Sequence, residues 1–338
     1  MKRLFLLITL ILLSACSSKE KLFKDSLLKL GYKEEEIEII SALNEQQQAY
    51  FTDEYNESLL KYLNDEDFIS TNLDLYLKYN DLSDYKTIIY LVNNHYFDNE
   101  LTKDLLGDKF FILNNINDYL KYSEYLGSVR DLVEYVNTKS YLKGYEDYID
   151  ADTNKGNLIL ANKLNYLGDY IPDNLVKVDS DYCMQGEVML QTEAYQSLKE
   201  MFDVAREEKM YFYISTAYRS FDFQTALYNS YLVYDSQEVV DTYSSRPGFS
   251  DHQTGLACDI GKVGYKFSSF TDTPECKWLH ENAYKYGFIL RYPEGKENIT
   301  KYDYESWHFR YVGKDASTFI HDNNITLEEY YAFFVENI

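Results

Sequence analysis

Ser250-Asp251-His252-Gln253-Thr254-Gly255-Leu256-Ala257-Cys258-Asp259 reads together with Glu305-Ser306-Trp307-His308-Phe309-Arg310. The two stretches supply two histidines, an aspartate, and a glutamate three residues before the second histidine. A hydrolytic zinc site needs three protein ligands, an open position for water, and a nearby carboxylate to take that water's proton. His252 and Asp259 are an odd number of positions apart, so one uninterrupted strand would point them to opposite faces. Gly255 permits a turn between them, after which Leu256-Ala257-Cys258-Asp259-Ile260 reads as a short buried strand. A loop-borne His252 and a strand-borne Asp259 can then converge. Glu305 and His308 also differ by an odd number, which puts Glu305 just before a strand running from His308 to Val312.

Outward from this centre, strands and helices mix. A helix is expected over Thr192 to Glu208, with Ala194, Leu198 and Met201 on one side. Tyr211 to Thr216 alternates as a strand does. Ala217-Tyr218-Arg219-Ser220 leaves it, and a helix follows from about Phe223 to Tyr234. Ser245-Arg246-Pro247-Gly248-Phe249 is a turn delivering the chain to His252. A further helix spans Pro274 to Tyr286, ended by Gly287 as a left-handed cap would end it. Phe288 to Tyr292 reads as another strand, and short helices lie near Asp315 and from Leu327. Without regular βαβ alternation, the fold class is α+β.

The first half differs. From Leu22 to Asp150 there is no proline, and apolar residues recur at helical spacing, as in Leu27, Leu30, Ile37 and Ile40. Tyr76-Leu77-Lys78-Tyr79 returns as Tyr119-Leu120-Lys121-Tyr122, and Val92-Asn93 as Val136-Asn137, a hint of a helical pair repeating at about 43 residues. In a chain this rich in tyrosine, leucine and lysine, chance similarity explains the hint equally well. All four prolines lie in the second half, which places a boundary near 150–157, where Asp150 to Gly156 reads as a linker. The expected division is a leader over 1–15, a tether over 16–21, an all-helical region over 22–150 and a second domain over 157–338.

At 338 residues the chain is long enough for two domains, and its net charge of −23 argues against a nucleic-acid partner. Lys2 and Arg3 precede an apolar run, Leu4 to Leu13, and then Ser14-Ala15-Cys16, too short for a spanning helix. Leu13-Ser14-Ala15-Cys16 resembles the bacterial lipobox, which implies lipidation at Cys16 and a tether to the outer face of the cell membrane. Three further cysteines, Cys183, Cys258 and Cys276, allow at most one disulfide bridge. Cys258 alternates with Asp259 and is expected to face away from it as a small buried residue. His280 and His321 are expected to be solvated, and Trp278 and Trp307 to be core.

The combination Ser250-x-His252-x-x-Gly255-x-Ala257-x-Asp259 with Glu305-x-Trp307-His308-x-Arg310-Tyr311-Val312-Gly313 resembles the VanY-type D-alanyl-D-alanine carboxypeptidases, which are zinc peptidases of the cell wall that include L,D-carboxypeptidases. Ala217-Tyr218-Arg219-Ser220-x-x-x-Gln224 is similar to that family's arginine motif. Leu160-Ala161-Asn162-Lys163, with Tyr170-Ile171-Pro172-x-x-Leu175, is similar to its lead-in. The resemblance covers about 157–338 and implies a small antiparallel sheet flanked by helices. It implies His252, Asp259 and His308 as Zn²⁺ ligands and Glu305 as general base. It also implies Arg219 at the substrate as a catalytic cation, with Gln224 and Ser250 as substrate contacts. Asp251 stands where the family commonly has glutamate, Cys258 where it has valine or alanine, and Ser306 where proline is frequent. The activity implied is removal of the terminal D-alanine from peptidoglycan stem peptides. L,D-cleavage of tetrapeptides, or a wall-binding protein without turnover, are the alternatives.

Overall fold

The computed structural model describes residues 19–125, 127–184 and 186–336. The leader over 1–15 and Cys16 lie outside the described residues. The expected tether is overtaken from residue 19 by a helix, α1 (19–30). Among the described residues no helix is long and apolar enough to cross a membrane.

By their contacts the residues divide into two compact units, Met1–Leu113 and Asn114–Ile338. Among its described residues the first is helical, continuing from α1 with α2 (Glu34–Ala42), α3 (Glu45–Gln48), α4 (Glu57–Leu63), α5 (Leu73–Tyr79), α6 (Tyr85–Asn93) and α7 (Leu101–Leu106). Asp84 starts α6 by accepting the N–H groups of Lys86 and Thr87 at 3.0 and 3.2 Å, after which Ile88, Ile89, Leu91 and Val92 are buried. The second unit begins with α8 (Ile116–Tyr122) and α9 (Val129–Asn137).

The suspected repeat is visible in bonding as well as in sequence. Within the first unit the Tyr76 hydroxyl donates to Asn93 Oδ1, which also accepts from Asn72 Nδ2 at 3.0 Å. Within the second, the Tyr119 hydroxyl donates to Asn137 Oδ1, which also accepts from Asn115 Nδ2 at 3.0 Å. Each pair of helices is locked by an asparagine at the end of its second helix that accepts from a buried tyrosine.

The boundary expected at 150–157 is displaced, and 150–157 is no linker. Arg130 on α9 pairs with Glu329 at 2.6 Å, and Glu134 with Lys296 at 3.1 Å, which ties this helix to the C-terminal residues. β1 (Ile149–Asp150) pairs in parallel with β2 (Asn165–Tyr166). A 3₁₀ turn over Thr153–Leu158 lies between them. Composition marks where prolines begin; contacts mark where side chains find partners, and the two differ here.

β3 (Leu175–Lys177) and β4 (Met189–Gln191) form an antiparallel pair leading into α10 (Thr192–Glu207). Then follow β5 (Tyr213–Thr216), α11 (Phe221–Tyr231), α12 (Gln237–Tyr243), β6 (Ala257–Gly261), α13 (Phe267–Phe270), α14 (Pro274–Asn282), β7 (Phe288–Leu290), α15 (Glu297–Thr300), β8 (His308–Tyr311), α16 (Lys314–Asn323) and α17 (Leu327–Tyr331). Four of these strands make one antiparallel sheet, in the order β5-β6-β8-β7. This is the expected α+β architecture. The helix expected over Pro274 to Tyr286 tightens to 3₁₀ over Ala283–Tyr286 and stops at Gly287, φ 86°. α12 is an element that the sequence analysis did not anticipate.

The sheet separates core from site by its period of two. Ile214, Cys258, Ile260, Phe309 and Tyr311 join Leu198, Met201, Phe202 and Phe212 in one core. Asp259, His308 and Arg310 alternate with these residues. Cys258 is buried as expected, and Cys183, Cys258 and Cys276 are all free.

Replacing Asn93 by alanine would remove the acceptor of the fully buried Tyr76 hydroxyl, an unmet polar group worth about 1–3 kcal/mol. Urea unfolding of the Asn93→Ala protein should show that loss in the transition of the helical unit; an unchanged midpoint would show that the bond carries no stability.

Candidate active site

Asp259 on β6 and His308 on β8 are direct cross-strand partners, so their side chains leave the sheet side by side. His252 arrives from a 3₁₀ turn over Asp251–Thr254 that ends at Gly255, φ 69°. A side chain there would be strained, and its Cβ would lie 2.8 Å from Leu175 Cδ2. The turn brings His252 Nε2 to 3.4 Å from Asp259 Oδ1, and His308 Nδ1 lies 3.3 Å from the same oxygen. Among the described residues, these three are the one cluster whose ligand atoms could hold a metal ion, all within 4.8 Å of one another.

Each donor is aimed by a second bond on its other atom. His252 Nδ1 lies 2.8 Å from the Ala217 carbonyl and donates its proton there, which leaves Nε2 as a lone pair. His308 Nε2 donates to Asp251 Oδ2 at 3.2 Å, leaving Nδ1 toward the cluster. Asp259 Oδ2 accepts from Arg219 Nη2 at 2.7 Å, whereas Oδ1 is buried and has no hydrogen-bond partner. An orphaned carboxylate oxygen between two imidazole lone pairs fits a divalent cation, and two nitrogens with one oxygen suit zinc.

The electrostatics agree. Burial, reinforced by the Arg219 charge, lowers the His252 pKa to about 4, so the ring is neutral and able to ligate. Burial opposes ionisation of Asp259, but His252, His308 and Arg219 hold its carboxyl well below the usual range. For His308 burial is likewise opposed, and the carboxylates of Asp251, Asp259 and Glu305 raise its pKa well above the ordinary histidine value. That proton is the one a cation would displace.

Glu305 sits on the turn just before β8, as expected, with Oε2 3.3 Å from His308 Nδ1. Burial raises its pKa above that of an ordinary glutamate, suiting it to proton transfer nearer neutrality. Arg219 lies immediately before Ser220, which caps α11 by accepting Phe223 N–H at 3.1 Å. Expected at the substrate, Arg219 here steadies Asp259 while also lining the pocket. Gln224 on α11 donates from Nε2 to the Ser245 carbonyl at 2.8 Å, and its Oε1 is buried without a partner. Ser250 makes no capping bond at the turn it precedes. Together with Ser245, Tyr302 and Trp307, these residues line a pocket of about 220 Å³.

Several participants escaped the sequence analysis. Asp251 is fully buried and accepts from both His308 and Arg310. Arg310 also donates to the carbonyls of Asn157 and Ile159 at 3.0 and 2.6 Å. Arg291 makes a two-pronged pair with Glu328 at 2.9 and 2.7 Å. Arg310 had a legible signal, since it shares a strand face with His308 two residues away. Arg291 and Glu328 had none. His280 is half-buried, and its Nε2 lies 2.9 Å from the Ser306 carbonyl. Trp278 is core, whereas Trp307 stacks on Phe267 at the pocket, 5.1 Å between centroids.

A profile of the VanY family, D-alanyl-D-alanine carboxypeptidase, matches residues 187–314. YodJ of Bacillus subtilis, for which carboxypeptidase activity is proposed, is 40% identical over 193 residues, spanning 55% of this chain and 71% of that protein. The chain belongs to the VanY-type D-alanyl-D-alanine carboxypeptidases. A D-alanyl-D-alanine carboxypeptidase of Enterococcus faecalis is 34% identical over 190 residues, 53% of this chain and 67% of the enzyme. The LdcB LD-carboxypeptidase, whose structure concerns peptidoglycan recognition, superposes with a TM-score of 0.52 at 38% identity, covering 57% of this chain and 93% of that one. VanY-type enzymes are zinc carboxypeptidases, and this chain is an enzyme of that class. Residues Met1–Leu113 lie outside the family match.

Asp251→Asn would keep the shape of the His308 partner but remove its charge. Metal titration followed by calorimetry should show zinc affinity weakened about 10- to 100-fold; unchanged affinity would mean that Asp251 does not tune His308.

Proposed function

We propose that the chain removes the C-terminal D-alanine from peptidoglycan stem peptides ending in D-alanyl-D-alanine. The observation that carries this reading is the converging His252, Asp259 and His308 donor set with Glu305 beside it, in a family of D-alanyl-D-alanine carboxypeptidases. His252 Nε2, Asp259 Oδ1 and His308 Nδ1 would hold Zn²⁺. When bound, the ion supplies a Lewis acid that acidifies water and polarises a carbonyl.

The chain's own residues perform the rest. Glu305 takes the proton of the attacking water on a carboxylate oxygen and returns it to the departing amine nitrogen of D-alanine. Its raised pKa suits both halves of that transfer. Arg219 places a fixed positive charge beside the developing oxyanion while its bond to Asp259 keeps that ligand oriented. Gln224 Oε1 offers an acceptor for a substrate N–H, and Ser250 a hydroxyl for the substrate's polar end. A second reading, L,D-cleavage of tetrapeptide stems, is favoured by the likeness to the LdcB LD-carboxypeptidase over 93% of that chain.

At the N-terminus, Leu13-Ser14-Ala15-Cys16 supports a lipid anchor at Cys16 on the outer face of the cell membrane, where the substrate lies. A protein that binds stem peptides without turnover would have no use for Glu305.

Two experiments test these readings. Pentapeptide and tetrapeptide stems are incubated with the zinc-loaded protein, and products are weighed by mass spectrometry. Loss of one alanine from the pentapeptide alone supports D,D-cleavage, and loss from the tetrapeptide alone replaces it with L,D-cleavage. Glu305→Gln should slow either reaction about 10²- to 10⁴-fold while zinc content stays constant. Separately, Cys16→Ser in a bacterial host should abolish incorporation of labelled fatty acid and release the protein from the membrane fraction; retained label would rule out Cys16 as the anchor.

A further inference from the structure

Besides the candidate metal donors, the pocket is lined by Ser244, Ser245 and Tyr302, which follow the C-terminal ends of α12 and α15. We infer that Lys163 and Tyr145, both N-terminal to the stretch that the VanY profile matches, are positioning residues that hold this wall in place for substrate. The inference rests on the carboxypeptidase reading above.

Lys163 Nζ donates to the Asp241 carbonyl at 2.6 Å and to the Lys301 carbonyl. The first lies in the last turn of α12 and the second caps α15. Helix C-termini leave carbonyls without intrahelical partners at the negative end of the dipole, so one ammonium satisfies two helix ends together. The ring of Tyr302 covers the ammonium at 4.4 Å, and that of Tyr145 lies at 5.6 Å. Burial lowers the Lys163 pKa to about 8, opposed by Asp241, which leaves the group charged at neutral pH.

Tyr145 extends the wall as a relay. Its hydroxyl lies 3.1 Å from that of Tyr302, which donates onward to Ser245 Oγ at 2.9 Å. Tyr145 therefore donates to Tyr302, while its oxygen accepts the Arg246 N–H at 3.4 Å. The Arg246 guanidinium lies 4.3 Å from the Tyr145 ring centroid and pairs with Asp241 at 2.7 Å. Tyr145 and Lys301 both adopt left-handed backbone, φ 66° and 65°, a conformation that side chains rarely take. Such residues persist where their surroundings over-determine them.

The consequence reaches the substrate through Gln224. Ser245 presents its carbonyl to Gln224 Nε2, and this bond leaves Gln224 Oε1 as the unpaired acceptor. A loosened wall would free the amide to turn and offer the wrong atom. Because Lys163 and Tyr145 touch neither the donor set nor Glu305, the effect belongs to binding more than to chemistry.

The test compares full-length wild type with Lys163→Met, Lys163→Arg and Tyr145→Phe, measuring KM, kcat, zinc content and melting temperature on the cleaved stem peptide. Tyr145→Phe keeps the ring and removes only the hydroxyl, so it decides the matter should Lys163→Met fail to fold. Expected are a KM raised about fivefold or more in Lys163→Met and about threefold in Tyr145→Phe. The values of kcat and zinc content should stay within about twofold, and Lys163→Arg should recover part of the KM. Wild-type KM in Tyr145→Phe, or a change confined to melting temperature, would overturn the inference. Should wild type cleave neither peptide, the carboxypeptidase reading fails by itself. Calorimetric affinity for the intact pentapeptide then decides: weaker binding in Tyr145→Phe upholds the wall, and equal binding overturns it.

Discussion

Asp251 is a carboxylate with no access to water, and the site is arranged around keeping it charged. Taking such a group out of water costs several kcal/mol unless partners surround it. Arg310 and His308 bond to it, and Arg291 Nε lies 3.8 Å away. Burial alone would raise its pKa, and Arg310, His308 and Arg291 hold it well below the carboxylate range. The same contacts carry structural information outward. Arg310 reaches the carbonyls of Asn157 and Ile159, and Arg291 reaches Glu328 on α17, so the lead-in segment and the C-terminal helix both lean on the charge that orients His308.

This arrangement explains how an aspartate serves at position 251. What matters there is a carboxylate oxygen within reach of His308 Nε2 and a compensating cation; the 3₁₀ turn brings the first at aspartate's shorter reach, and Arg310 on β8 is the second. Ser306 likewise has a local role: its hydroxyl lies 2.7 Å from Thr271 Oγ1, and its carbonyl meets His280 Nε2. The segment carrying Glu305 is thereby fastened to α14 and to the end of α13. Cys258 fills a core position on the face of β6 opposite Asp259, away from the candidate metal donors.

The helical first half shows how a weak signal gains meaning from bonding. Tyrosine, leucine and lysine recur too often in this chain for a four-residue match to count. What distinguishes the two helix pairs is that Tyr76 and Tyr119 are fully buried and send their hydroxyls to asparagines at matching helix ends. A buried hydroxyl must find an acceptor, so each tyrosine needs its asparagine, and the pairing sets where one helix stops against the other. The copies fall in different compact units, a division that sequence similarity alone would not suggest.

By itself the sequence determined the chemistry and the class of fold: two histidines, an aspartate and a glutamate at spacings that need a turn and two strand edges. Those properties are local, because a glycine, an alternation of two and a helix cap act over a few residues. Only the tertiary structure decided what lies behind each candidate ligand. The bonds from Ala217 to His252, Arg219 to Asp259 and Asp251 to His308 join residues up to 57 positions apart. Arg291 with Glu328, and Lys163 with two helix ends, span comparable or greater distances. Such pairings are selected by the energy of leaving a buried charge or carbonyl unmet. That energy exists only once the surrounding chain has excluded water, and no spacing along the sequence records it.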